Sequence, residues 1–148
     1  MRNANPTEEA KANLVPRQLE LSEIFASRDL AKLGDAFVNF TYSLAQSIRN
    51  GRGVNARVPS RILASALKRS GLKRELPPRT SIHDQADAVE ALSVYAWLLG
   101  IMTFEEFVSL LSQPKDDSTE TFTEALNEIL KRLQPKIASP HKVPEHQV

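Results

Sequence analysis

Three carboxylates in this chain sit where charge is expensive. Asp35 lies in LGDAFVNF, residues 33–40, and Asp87 and Glu90 lie in DAVEALSVYAWLLG, residues 87–100. Both segments are otherwise apolar, and an unpaired charge among apolar side chains carries a heavy desolvation cost. Asp87 and Glu90 are three positions apart, which makes them neighbours on a helix. The same face continues through Ala91, Val94, Trp97 and Leu98. If the two segments pack against each other, three carboxylates converge. Their mutual repulsion and oxygen-only chemistry then suit a hard divalent cation, Mg²⁺ or Mn²⁺, that retains part of its water shell.

Helices must do the positioning. From Leu30 onward, Leu30, Leu33, Phe37, Phe40, Leu44 and Ile48 recur at helical spacing and predict one core-facing stripe. Asp35 is off that stripe, beside Ala31, Val38 and Tyr42 on a second, semi-apolar face. A helix apolar on two sides belongs in the middle of a bundle or at a dimer interface. One helix is expected from Pro16 to Ala26, followed by the long acidic-motif helix to Asn50, which Gly51 and Gly53 end. Pro59 opens a helix carrying Ile62, Leu63, Ala66 and Leu67, and Pro77 and Pro78 forbid helix in the next connection. Thr80 or Ser81 caps the second acidic helix, which stops at Gly100. Thr103 and Glu106 have capping-box spacing. Phe122, Leu126, Ile129, Leu130 and Leu133 form the stripe of the last helix. No segment alternates as a strand does, so the expected class is all-α. Residues 1–14 read as a loose polar segment, 15–134 as one helical domain and 135–148, with three prolines, as an irregular tail.

The two acidic segments resemble the motifs of the ribonuclease III family. LGDAFVNF looks like its signature helix, with a Leu-Gly-Asp-Ala core, and DAVEALSVYAWLLG is similar to its second motif, Asp-x-x-Glu-Ala-Leu followed by an apolar helix. The connecting stretch GRGVNARVPSRILASALKRSGL looks like the small archaeal branch of ribonuclease III-like proteins. The resemblance covers roughly residues 19–112. It implies a helical endonuclease domain without a separate double-stranded RNA-binding domain, and Asp35, Asp87 and Glu90 as catalytic Mg²⁺ or Mn²⁺ ligands. It also implies cleavage of double-stranded or structured RNA to 5′-phosphate and 3′-hydroxyl ends by a homodimer. The family's pattern departs at one position: the glutamate one turn before the signature aspartate is Ala31 here.

Charge distribution agrees with a phosphate-bearing partner. The net charge of the 148 residues is only +1, yet from Arg49 to Arg74 there are eight basic residues and no acid. Arg49, Arg52, Arg57, Arg61, Lys68 and Arg69 form the candidate RNA-binding set, because a glycine-bearing basic loop can follow a backbone and guanidinium groups pair with phosphate oxygens. A solvated surface would account for the same run in another context. Duplex RNA is read through shape, phosphates and 2′-hydroxyls, so no aromatic reading motif is required. The absence of cysteine excludes disulfides and thiolate metal sites. No membrane-spanning or signal-peptide pattern is present, and a cytoplasmic location with no membrane partner is expected. No Walker loop, His-Glu-x-x-His or nucleophile elbow occurs. His83 shares a face with Asp87 and Glu90 and reads mainly as a helix-start histidine.

Three functional readings stand at this point. One is a metal-dependent endoribonuclease. The second is a protein of the same fold that binds structured RNA, a ribosome or another ribonucleoprotein without cutting, which Ala31 favours. The third is a helical protein-interaction module whose acids pair with Arg or Lys.

Overall fold

A helix with no solvent face must be enclosed, and α5 (Ile82–Leu98) is that helix. Every residue from Gln85 to Ala96 except Asp87 is buried. The computed structural model describes residues 6–15 and 17–146, and the side chains of residues 7–133 apart from 12 and 16. In chain order the elements are α1 (Pro6–Leu14), α2 (Leu21–Ala26), α3 (Arg28–Asn50), α4 (Ser60–Arg69), a 3-10 turn (Leu72–Glu75), α5, α6 (Phe104–Leu111) and α7 (Ser118–His146). The class is all-α, and the described residues contain no strand. α3, α4, α2 and α7 pack on α5, while α6 bridges α3 and α7. Val38, Leu63, Leu67, Val89, Leu92, Tyr95, Phe107, Phe122 and Ile129 fill the space between them.

Local chemistry sets the element ends. Ser27 Oγ accepts from Leu30 N to start α3, and Gly51 ends it in the left-handed region at φ 73°. Ser81 Oγ accepts from Asp84 N at the start of α5, and Thr103 with Glu106 forms the full capping box of α6. Glu106 is also gripped by Arg132 of α7 through two bonds of 3.0 Å. That bonding, foremost among its causes, holds the Glu106 carboxyl down to about 2.

The buried face of α3 is not the predicted stripe. Leu30, Gly34, Val38, Thr41 and Ala45 face α5, whereas Leu33, Phe40 and Ile48 are exposed at 39%, 59% and 58%. Phe37 and Leu44 lie at the core margin. The reason is steric. A Cβ built on Gly34 would lie 2.1 Å from the Glu90 carbonyl oxygen, so the helices cross nearly backbone to backbone. Only small or slender side chains fit such a seam, and the large ones are displaced to its flanks.

Both ends of the chain also differ from expectation. Pro6–Leu14 is helical where loose chain is predicted, with Glu8 and Glu9 in its first turn and Lys11 in its last. The Lys11 ammonium sits 4.3 Å from the centre of the Trp97 ring and docks this helix. The helix expected from Pro16 is shorter, beginning at Leu21 behind a Glu20–Glu23 capping box; position 16 itself lies outside the described residues. α7 runs on to His146 through Pro135, Pro140 and Pro144, where irregular chain is predicted. Each of these prolines removes one donor from the helical ladder. Residues 1–5 and 147–148 of the predicted terminal segments lie outside the described residues. No described helix is long and apolar enough to cross a membrane.

Gly34→Ala is expected to destabilise the protein by about 2–3 kcal/mol, because overpacking at a rigid backbone contact cannot relax through a side chain. Gly53→Ala, with nothing within 4 Å of its added Cβ, is the control and should stay within about 0.5 kcal/mol of wild type. Urea denaturation of both variants makes the comparison; equal midpoints would contradict the close crossing.

Candidate metal centre

The α3–α5 crossing places the acidic residues. Asp35 follows Gly34 directly, and Glu90 supplies the backbone against which Gly34 packs, so both carboxylates flank one contact. Asp87 lies one turn earlier on α5. All three line one cavity of about 980 Å³, together with Ala31, Arg57 and His83. Ala31 is therefore at the cavity wall, where a longer acidic side chain would have added a donor.

The three acids have different surroundings. Glu90 is 8% exposed. Its burial first, and then the Asp35 and Asp87 charges, push its carboxyl up to about 7; Asp35 also accepts a hydrogen bond from the protonated form. Asp87, at the cavity rim, is raised by burial and then by the Asp84 charge. Asp35 Oδ1 accepts from Asn39 Nδ2 at 3.0 Å and from Arg57 Nη2 at 3.1 Å. Asn39 Oδ1 accepts from Val58 N at 2.8 Å, so Asn39 ties the site's frame to the following loop.

Two carboxylates facing each other inside a cavity need a proton or a cation between them. The donor set is all carboxylate oxygen, and Glu90 is in no ion pair among the described side chains, although the Arg57 charge offsets part of the repulsion on it. These features fit a hard dication with one protein donor fewer than Ala31 would permit as glutamate. Among the described residues no three acidic or imidazole groups are already drawn into a closed coordination cluster.

The predicted basic residues divide into two groups. Arg57 reaches the cavity and the acids. Arg49, Arg52, Arg61, Lys68 and Arg69 do not line it; they are exposed on the end of α3, the following loop and α4. Among the described residues none of these five is in an ion pair. Sequence reasoning missed the Arg57–Asp35 contact, which joins residues 22 positions apart. It also missed Glu75 and Asp84 at the cavity wall. For Asp84 a signal existed: it precedes Asp87 by three positions, and so lies one turn away.

Comparison with known proteins adds an independent finding. A family model described as ribonuclease III matches residues 28–139, about three quarters of the chain and all three acids. No curated protein matches.

The raised Glu90 carboxyl has a stability consequence. It titrates near 7 in the fold against an ordinary value of 4.5, so between those values the folded state holds the proton more tightly than the unfolded chain. Stability from this group is complete below pH 4.5 and is lost as pH rises to about 7. Glu90→Gln should flatten that loss and exceed wild type by about 2–3 kcal/mol at pH 8 in EDTA, with little difference at pH 4.5. Urea titrations at both pH values test this; an equal offset at both would contradict it.

Proposed function

The chain belongs to the ribonuclease III family, and from that membership we propose that it is a divalent-metal-dependent endoribonuclease. It acts on double-stranded or structured RNA and leaves 5′-phosphate and 3′-hydroxyl ends. The observation that carries this reading is the meeting of Asp35, Asp87 and Glu90 at one cavity, with Glu90 buried and in no ion pair among the described side chains. Mg²⁺ or Mn²⁺ held by these three would supply Lewis acidity to water and to the leaving 3′-oxygen.

The chain's own groups do the rest. Glu90, fixed by the helix crossing, sets the floor of the site, and its low exposure limits competing water. Asp35 is oriented by Asn39. The exposed Arg49, Arg52, Arg61, Lys68 and Arg69 hold the RNA backbone by phosphate contacts, which makes binding salt-dependent. A second copy of the chain covers the exposed α3 residues Leu33, Phe40 and Ile48, which leave much of their apolar surface open even though Phe40 also packs on Phe104. The protein then works as a homodimer with two sites.

A second reading has specific support. Ala31 removes one donor, and Arg57 already neutralises Asp35. Both favour a protein that binds structured RNA or a ribonucleoprotein without cutting it.

A long labelled RNA duplex with Mg²⁺ or Mn²⁺ separates the two. Wild type should cut it, and Asp35→Asn or Glu90→Gln should slow cutting by about a hundredfold or more. Sedimentation should give a dimer that Phe40→Asp dissociates. No cutting by wild type, with salt-sensitive RNA binding retained, would replace the nuclease reading with the second one.

A further inference from the structure

The loop after α3 is laced to the helix it has just left. Ser47 Oγ accepts from Val54 N at 2.8 Å, Ser43 Oγ accepts from Ala56 N at 2.9 Å, and Asn39 Oδ1 accepts from Val58 N at 2.8 Å. Ser43 Oγ also donates to Ala56 O at 2.8 Å. Four helical residues rise about 6 Å, and two extended residues span about 6.6 Å. Alternate loop residues therefore keep step with successive turns of α3, running back toward its start. Arg57 lies between the last two rungs, and its guanidinium arrives on Asp35 Oδ1 at 3.1 Å. The last rung, Asn39, bonds the same oxygen at 3.0 Å. Arg57 is thus delivered to the acids by three rungs of hydrogen bonds that do not involve its own side chain.

That oxygen already carries two donors. A dication binding Asp35 would meet the guanidinium a few ångströms away, with one carboxylate to share between like charges. We propose that Arg57 is a built-in counter-cation of the acidic cavity, competing with the divalent ion for Asp35 and yielding it to saturating metal or to a phosphodiester that offers a replacement partner. The proposal rests on the metal reading given above. It makes metal and RNA binding mutually reinforcing, because each removes an obstacle to the other and such coupling is reciprocal. It also gives the cavity a resting state in which Asp35 is neutralised without metal. Arg57 is 72% exposed, so its release costs little desolvation or packing.

Mn²⁺ binding to the full chain, read by the loss of the free aqueous Mn²⁺ signal in electron paramagnetic resonance, tests this without any activity measurement. Arg57→Gln should tighten Mn²⁺ binding about three- to tenfold, the range set by losing one exposed pair and one nearby like charge. Lys131→Gln, an exposed change of equal charge on α7, should leave it unchanged. Far-UV circular dichroism confirms that each variant is folded. Unchanged or weaker binding in Arg57→Gln would overturn the proposal, weaker binding marking Arg57 as an aid to Asp35 rather than a competitor. The metal reading fails separately: Asp35→Asn/Glu90→Gln binding Mn²⁺ as tightly as wild type, or no variant binding at all, would overturn both.

Discussion

The backbone contact between Gly34 and the Glu90 carbonyl is the constraint on which the rest of the molecule turns. With any side chain at position 34 the two helices could not cross at this distance. Because they do, α3 presents small residues to α5, and its bulky ones move to the flanks. The same contact puts Asp35 and Glu90 on either side of one point. Packing and chemistry therefore have one cause, and separating the helices would dismantle both the seam and the acidic cavity.

Electrostatic strain follows from that geometry. A carboxylate as buried as Glu90, with two more acids beside it, holds its proton to about 7. Arg57 relieves part of the charge, and it is held there by Asn39, Ser43 and Ser47 rather than by its own packing. The cavity thus has two neutralising agents in place, a proton on Glu90 and a guanidinium on Asp35, and the dication of the proposed function would be a third, shared by all three acids. Only the last satisfies every carboxylate together. The α3–α5 crossing sets where the acids lie, while the laced loop sets where the Arg57 guanidinium meets them.

Much of this was legible in the sequence because it depends on local rules. Ser81, Thr103 with Glu106, Gly51 and Pro59 mark helix ends through their own hydrogen bonds or backbone preferences. The spacing and apolar surroundings of Asp87 and Glu90 announce a buried acidic face, which holds for Glu90 but not for the exposed Asp87, and the family match covers both. The buried side of α3 was not legible. Leu33, Phe40 and Ile48 outweigh Gly34, Thr41 and Ala45 in hydrophobicity, yet closeness of approach decides burial there. The Arg57–Asp35 contact was hidden for another reason, since it depends on how a loop lies along a helix. Helix α1 was also concealed, because its docking rests on the Lys11–Trp97 contact between distant parts of the chain.

Under the proposed function, one crossing of two helices builds a divalent-cation site from Asp35, Asp87 and Glu90. Crystals soaked in Mn²⁺ and measured near its absorption edge test it directly. The account predicts an anomalous peak bonded to oxygens of all three carboxylates, with the Arg57 guanidinium withdrawn from Asp35. A saturating soak that leaves this cavity without a peak, and Arg57 still on Asp35, would contradict it.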